Sequence, residues 1–260
     1  GVKTSFTLGL APPSLGVAVL DGVDNNGQAY STTRLEQGEG DQLTSMSIDL
    51  SQTSATNDVY LSFYWQAGGK GERPDDSDAL ELYFLDSEGK WVLVWSQEGG
   101  DDVASDQFVQ VLLPVAEQFH YEAFQFKFQQ SGRLSGPFDT WVLDYIYLNK
   151  GRDATDRYPA DRALTQLPSS PFAPYFAIPY FELDQEKLTT PISNEFNNLT
   201  NRFRAIEYTV SLTNKATGEL LEKPNDNTPF NPVPQALERR TFTSSDVKGT
   251  SLIGLIDEPM

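Results

Sequence analysis

Short runs in which apolar and polar residues alternate dominate residues 1–150 of the chain. In "DVYLSFYWQAGG", every second residue from Leu61 to Trp65 is large and apolar, and in "YEAFQFKFQQSG" phenylalanines alternate with Gln and Lys. This period of two places successive side chains on opposite faces of an extended chain. Turn signals such as the Asn-Gly pair at 26–27 separate the runs. The pattern predicts antiparallel strands, and no amphipathic helix is predicted between them.

A hairpin is predicted in "ALELYFLDSEGKWVLVWSQEG", with its turn at residues 86–89. Large apolar residues recur at every second position on both sides of that turn: Leu80, Leu82, Phe84, Trp91, Leu93 and Trp95. The closing run "WVLDYIYLNK" completes the set. Many short strands at this spacing predict an all-β fold, a jelly-roll β-sandwich over residues 1–150.

The composition changes after residue 150. Residues 151–192 are rich in proline, and a linker is the simplest interpretation. Residues 193–260 contain a second predicted strand pair around the turn "NKATG", and further strands in "RRTFTSSDV" and "SLIGLID". They predict a second, smaller β-sandwich-like segment. Its length, about 65 residues where roughly 100 is usual, suggests an incomplete module. The expected division is therefore 1–150, 151–192 and 193–260.

The charge of the chain narrows the classes of partner. The formal net charge is −18, from 37 acidic and 19 basic residues. Such a surface repels nucleic acid and anionic membranes, so neither is an expected partner. No apolar run approaches the roughly 18 residues of a membrane span, so direct membrane insertion is not expected. The chain has no cysteine, which excludes disulfides and thiolate chemistry.

Asp144 interrupts the apolar run "TWVLDYIYL". Strand alternation would group Val142, Asp144, Ile146 and Leu148 on one face and Trp141, Leu143, Tyr145 and Tyr147 on the other. Both faces are apolar, so a charge at Asp144 needs a partner. One solution is a structural Ca²⁺ ion, with Asp21, Asp24 and Asp139 as the other carboxylate ligands. The other solution is a set of hydrogen bonds from loop amides or a nearby hydroxyl, and the sequence leaves both open.

Aromatic residues are more numerous than one core requires. Flat rings beside Asp, Asn and Gln can stack on sugar rings while the polar groups bind hydroxyls. Trp65, Trp91 and Trp95 are expected in the core. Tyr64, Tyr145 and Tyr147 are the better candidates for a ligand-binding surface.

Catalytic signals are weak. On a strand, Glu182, Asp184 and Glu186 of "FELDQE" would project from one face, like the paired carboxylates of some jelly-roll glycoside hydrolases. They lie in the proline-rich region rather than in a predicted sheet. The chain has one histidine, His120, and no G-x-S-x-G, G-x-G-x-x-G or P-loop motif. A polysaccharide-active hydrolase or lyase is therefore the alternative rather than the main hypothesis.

The order of these motifs resembles MAM-type, concanavalin-like jelly-roll modules. The segments "YLSFYWQAGG", "ALELYFLDSEGKWVLVWS" and "FQFKFQQSGRLSGPFDTWVLDYIYL" carry the resemblance. The opening "VAVLDGVDNNGQAYS" is similar to that of secreted surface proteins of gliding Bacteroidota. The likeness covers about residues 10–150. It implies a jelly roll in which Asp144 holds the N-terminal strand and loop, in some members around a cation. The disulfide cysteines of animal MAM domains are absent.

The sequence therefore predicts a non-catalytic recognition or assembly module that binds a surface protein or a glycan. We expect it to be secreted or at the bacterial cell surface, with the periplasm as the alternative location.

Overall fold

The computed structural model describes residues 1–54, 58–103, 105–172, 174–182 and 191–247. The chain forms two compact units, Gly1–Arg157 and Tyr158–Met260. The strands of the first unit are β1 Lys3–Ser5, β2 Val17–Leu20, β3 Gln37–Thr44, β4 Tyr60–Ala67, β5 Ala79–Leu85, β6 Trp91–Glu98, β7 Val109–Pro114, β8 Phe126–Arg133 and β9 Trp141–Asn149. Those of the second are β10 Arg162–Leu164, β11 Ser193–Asn198, β12 Glu207–Thr213, β13 Leu220–Pro229 and β14 Arg239–Thr243. Two 3₁₀ helices span Glu117–Phe119 and Tyr180–Glu182, and the described ranges contain no α-helix, so the predicted all-β class is confirmed.

The pairing in the first unit is nested. The hairpin β5–β6 is the innermost pair, β4 pairs with β7, β3 with β8, and β2 with β9, all antiparallel. Further pairing of β4 with β9 and of β5 with β8 produces two sheets, ordered β1-β2-β9-β4-β7 and β3-β8-β5-β6. A long hairpin that is wrapped in this way is a jelly roll. The predicted jelly roll is confirmed by this strand order.

The core lies between the two sheets. The five-stranded sheet contributes Leu61, Phe63 and Trp65, and the four-stranded sheet contributes Leu80, Leu82, Phe84 and Phe128, each at most 4% exposed. The rings of Phe63 and Phe128 meet edge to face, with centroids 4.7 Å apart. Burial of such side chains contributes about 1.5–3 kcal/mol each, which explains why the alternation was a sound guide to these strands.

A bulge corrects the predicted faces of β9. Tyr64 pairs with Asp144, but Ser62 pairs with Tyr147, so β9 has one extra residue between these pairs. Tyr145 has a φ of 50°, in the left-handed region. As a result Ile146 and Leu148 pack on the same core as Trp141 and Leu143. The predicted grouping of Ile146 and Leu148 with Asp144 is therefore wrong.

A second bulge corrects the expectation for Trp91. The β5–β6 register shifts between the pairs Leu82–Trp95 and Tyr83–Leu93. Trp95 packs against Phe63 in the core, with ring centroids 5.1 Å apart. Trp91, on the other side of the shift, lies on the outer face, and an alternation without a bulge would have placed both rings inside.

The second unit has a smaller aromatic core. Its sheets are β10-β11-β14 and the hairpin β12–β13, whose turn follows the predicted "NKATG". Phe196, Tyr208, Phe230 and Phe242 form a cluster with neighbouring centroids 4.6–5.3 Å apart. β10 comes from the proline-rich stretch and pairs with β11, so that stretch contributes to the fold of this unit. The predicted strand in "SLIGLID" lies outside the described residues.

Candidate functional site

Asp144 is held by the loop that joins β1 to β2. Its Oδ2 accepts a hydrogen bond from the backbone N–H of Ser14, and its Oδ1 accepts one from the Ser14 hydroxyl, both at 2.7 Å. The N–H of Tyr145 at the bulge also donates to Oδ1, at 2.6 Å. The carboxylate is 5% exposed. This is the hydrogen-bonded solution that the sequence left open, because each donor stabilises the charged form.

The structure does not bring the four predicted metal ligands together. Asp24 lies in an exposed turn, where the N–H groups of Gln28 and Asn26 lower the pKa of its carboxyl. Burial raises the pKa of Asp21, which accepts a hydrogen bond from the N–H of Val23. Of the four residues, Asp139 alone joins a group of acidic side chains that could share an ion, among the parts of the chain that the structure describes.

That group consists of Asp75, Asp78 and Asp139, here called the acidic triad. Their carboxylate oxygens lie within 4.8 Å of one another. Asp75 and Asp78 come from the loop before β5, and Asp139 comes from the loop before β9, so the triad joins the two sheets at one end of the sandwich. Asp78 and Asp139 are each 1% exposed, whereas Asp75 is exposed.

Backbone contacts fix the triad. Asp78 accepts a hydrogen bond from the N–H of Asp75 at 2.7 Å, and Asp139 accepts one from the N–H of Arg133 at 2.6 Å. The loop after β6 packs against the same segment at Gly99, where a β-carbon would lie 2.3 Å from the carbonyl oxygen of Asp75. Only glycine allows this approach. Burial raises the pKa of Asp78 to about 6; the carboxylates of Asp139 and Asp75 add to the effect and the N–H of Asp75 opposes it.

The predicted ligand-binding tyrosines lie on the five-stranded sheet and are half-buried. The loop before β2 covers part of the outer face of this sheet, where the side-chain amide of Gln66 exchanges two hydrogen bonds with the backbone of Leu10. The guanidinium of Arg152 lies 4.5 Å from the ring centroid of Tyr147 and donates to the Tyr147 carbonyl oxygen. Tyr64 pairs with Asp144 on the same sheet. The chain itself thus occupies much of this face.

The outer face of the four-stranded sheet presents a different surface. Lys127 on β8, Tyr83 on β5 and Leu93 on β6 form one row of paired residues, and Gln129, Glu81 and Ser96 form the next. The Lys127 ammonium lies 4.9 Å from the ring centroid of Tyr83 and 5.2 Å from that of Trp91. We call Glu81, Tyr83, Trp91, Leu93, Lys127 and Gln129 the aromatic face.

Polar groups on the aromatic face are held in place. The Tyr83 hydroxyl donates to Glu81 at 2.8 Å, and the Lys127 ammonium donates to the side-chain oxygen of Gln129 at 3.2 Å. Partial burial, helped by the Glu81 carboxylate, raises the pKa of Tyr83 to about 12, so its hydroxyl stays protonated at neutral pH. The amide of Gln129 is itself buried, at 1% exposed. Two rings, a cation and a carboxylate are therefore fixed side by side, which suits a ligand with both apolar and hydroxyl surfaces.

Sequence reasoning missed both the acidic triad and the aromatic face. Tyr83 in "ELY" and Lys127 in "FKF" occupy outward positions of predicted strands. Alternation would place both on one face of a sheet once the strand order is known. The acidic run "RPDDSD", which contains Asp75 and Asp78, offers alternating oxygens as calcium loops do, but from the sequence alone a solvated loop is favoured. Its meeting with Asp139 depends on two loops that are about sixty residues apart in the chain.

Of the candidate catalytic groups, Glu182 and His120 lie within the described residues. Glu182 lies in the 3₁₀ helix Tyr180–Glu182, and Asp184 and Glu186 lie outside the described residues. The ring of His120 is 2.9 Å from the carbonyl oxygen of Val115, through Nε2. No helix in the described ranges is long and apolar enough to cross a membrane.

Comparison with known proteins gives no family model and no curated protein that matches the chain. Among solved structures, one described as "CBM4 structure and function" is 14% identical, with a TM-score of 0.23 over 55% of this chain and 79% of that one. The tandem CBM22-1–CBM22-2 domain from Paenibacillus barcinonensis Xyn10C is 11% identical, with a TM-score of 0.33 over 95% and 78% of the two chains. The jelly-roll assignment rests on the strand order itself, and the resemblance to MAM-type modules and to Bacteroidota surface proteins stays a prediction.

Proposed function

We propose that this chain is a non-catalytic recognition module that binds a glycan on the aromatic face of its jelly roll. The observation that carries the proposal is the arrangement of Tyr83, Trp91 and Lys127, with the ammonium beside both rings. Rings of this kind stack on the C–H face of a sugar, and the Glu81 carboxylate beside them can bind its hydroxyls.

Two features of the surface support this choice of ligand. Leu93 is 50% exposed at the end of its row, on the edge strand β6, so the face has an apolar margin beside the two rings. The net charge of −18 favours a neutral or cationic ligand over nucleic acid. A module of this kind would act outside the cell or at the cell surface, where polysaccharides are found.

The test begins with a glycan array probed with the 260-residue chain, followed by calorimetry with the best oligosaccharide. We expect Trp91→Ala to weaken binding at least about tenfold, which corresponds to about 1.4 kcal/mol. Tyr147→Ala, on the covered sheet, is the matched control and should bind as the wild type does.

Three other outcomes would point to a different binding site, to an enzyme or to a protein partner. Loss of binding in Tyr147→Ala or Tyr64→Ala, with Trp91→Ala unaffected, would move the site to the predicted Tyr64, Tyr145 and Tyr147. Release of new reducing ends that stops in Glu182→Gln or Glu186→Gln would establish the enzyme alternative. Absence of any retained glycan, with capture of a surface protein that Trp91→Ala abolishes, would replace the glycan by a protein partner.

A further inference from the structure

We propose that the acidic triad is a Ca²⁺ site that ties the loop before β5 to the loop before β9. This proposal is independent of the proposed glycan binding, because the triad lies at the loop end of the sandwich rather than on the aromatic face. The predicted calcium ligand Asp139 takes part, with Asp75 and Asp78 in place of Asp21, Asp24 and Asp144.

Like charges meet in a buried place at the acidic triad. Asp78 and Asp139 are both 1% exposed, and their carboxyl groups interact directly. Two buried carboxylates that face each other repel strongly unless a proton or a cation lies between them. Asp75 adds a third carboxylate from the solvent side, within the same 4.8 Å. A divalent cation would neutralise this concentration of charge.

A buried side-chain amide lies beside the triad. Gln130 is fully buried, and neither its side-chain oxygen nor its nitrogen has a hydrogen-bond partner. A β-carbon built on Gly132 would lie 2.6 Å from Gln130 Nε2 and 3.0 Å from Asp139 Oδ2, so the two side chains converge on one spot. A buried amide without partners is uncommon and calls for an explanation. Rotation of the amide by a half turn would direct its oxygen, a good calcium ligand, to the same spot.

The donor set selects the kind of ion. All candidate ligands are oxygens, from three carboxylates and one amide, which favours a hard cation over zinc or copper. They come from two irregular loops and one strand rather than from a rigid octahedral cage. Ca²⁺ accepts such variable geometry with six to eight oxygens, whereas Mg²⁺ requires near-ideal octahedral geometry and keeps its waters.

The experiment uses the whole chain, freed of metal with EDTA and dialysed into about 0.15 M NaCl, where nonspecific charge effects are screened beyond about 8 Å. CaCl₂ is titrated by calorimetry at neutral pH, and MgCl₂ is titrated in parallel. We expect one Ca²⁺ per chain with a Kd of about 1 mM or below, tighter than for Mg²⁺, and a melting temperature that rises with Ca²⁺. Failure to saturate below about 10 mM, with an unchanged melting temperature, would overturn the proposal.

Variants locate the ion. Asp78→Asn and Asp75→Asn should each weaken Ca²⁺ binding at least about tenfold. Asp76→Asn removes the same charge from the same loop but lies outside the triad, so it should bind within about twofold of the wild type. Asp75 is exposed, so its variant keeps the site testable even if Asp78→Asn folds poorly.

Two results with these variants would contradict the proposed Ca²⁺ site. Wild-type affinity in both Asp75→Asn and Asp78→Asn, checked for folding by circular dichroism, would place the ion elsewhere. Equal losses in Asp75→Asn and Asp76→Asn would show diffuse attraction to an acidic loop and would also overturn the proposal. Glycan affinity measured on the same samples separates this result from the fate of the proposed function.

Discussion

Asp139 and Asp144 lie five residues apart, are both almost fully buried, and have opposite surroundings. Asp144, on the covered face of the five-stranded sheet, accepts hydrogen bonds from Ser14 and Tyr145. Asp139, at the loop end, accepts one hydrogen bond from the backbone of Arg133 and faces the carboxyl of Asp78. The chain satisfies one carboxylate with its own donors and sets the other against a like charge. Burial alone therefore does not reveal whether the fold supplies hydrogen-bond donors to an acidic side chain or a second acid.

The largest effect is expected on the covered face at Arg152, which is 5% exposed. Its guanidinium donates to the Ser62 hydroxyl and to the carbonyl oxygens of Tyr60 and Tyr147. Arg152→Ala removes these donors from several buried acceptors at once, so we expect a loss of about 3 kcal/mol. Urea unfolding measures it, and Lys150→Ala, which is exposed, should change stability by less than about 0.5 kcal/mol. Equal stability of the two variants would mean that the hydrogen bonds of Arg152 contribute little to the free energy of unfolding.

Asp144→Asn tests whether the donors around Asp144 require a carboxylate. The new amide nitrogen would face one of the two donors of Ser14, which leaves that donor without an acceptor. We expect a loss of about 2 kcal/mol in unfolding free energy. Ser14→Ala, which keeps the backbone N–H but removes the hydroxyl, should cost about half as much. A stability that depends on added Ca²⁺ in wild type but not in Asp144→Asn would instead return the ion to this residue.

The pH dependence of stability tests the surroundings of the acidic triad, the second of the two regions compared. The pKa of Asp78 is raised from 3.8 to about 6 in the folded chain, so the folded state holds its proton more tightly. Its contribution to stability is therefore complete below pH 3.8 and is lost as the pH rises to 6. In chelator, wild type should lose on the order of 2 kcal/mol across this window relative to Asp78→Asn. Parallel stability curves for the two proteins would show that Asp78 titrates normally.

The smallest effect is expected for Asp78→Asn at neutral pH in chelator. An amide at this position can donate to Asp139 and removes the repulsion between the two carboxylates. We expect a gain of about 1 kcal/mol, or a rise of about 2–4 °C in melting temperature. In saturating Ca²⁺ the order should reverse, because the wild type alone gains the binding energy of the ion. A variant less stable than wild type in both conditions would show that the carboxylate is needed for folding itself.

Much of the fold could be predicted from the sequence, because alternation reports directly on which side chains are buried. Leu61, Phe63 and Trp65 on β4, and Leu80, Leu82 and Phe84 on β5, all lie in the predicted core. The predicted faces of β9 and the predicted burial of Trp91 are wrong because each strand contains one extra residue at a bulge. After the bulges at Tyr145 and near Leu93, the side chains of the strand point to the opposite faces of the sheet. The alternation of apolar and polar residues did not reveal these two bulges.

The candidate sites were less predictable, for a reason of geometry. The need of Asp144 for a partner was visible in its apolar surroundings, but its partner Ser14 lies in a loop that folds over the sheet. The acidic triad and the aromatic face both unite residues from separate strands or loops, so they exist only once the nested pairing is known. Strand order cannot be read directly from a single sequence.

The nested pairing of β2 to β9 also sets the order in which this unit can form. The hairpin β5–β6 closes a turn of a few residues, whereas the pair β2–β9 must wait for a segment more than a hundred residues later in the chain. The entropic cost of loop closure rises from the innermost strand pair to the outermost, so we expect the sandwich to assemble from the hairpin β5–β6 outward. Folding should also be slow, because many of its contacts join residues that are distant in the chain. During synthesis, β2 would have only β1 beside it until β9, the last strand of the jelly roll, has left the ribosome.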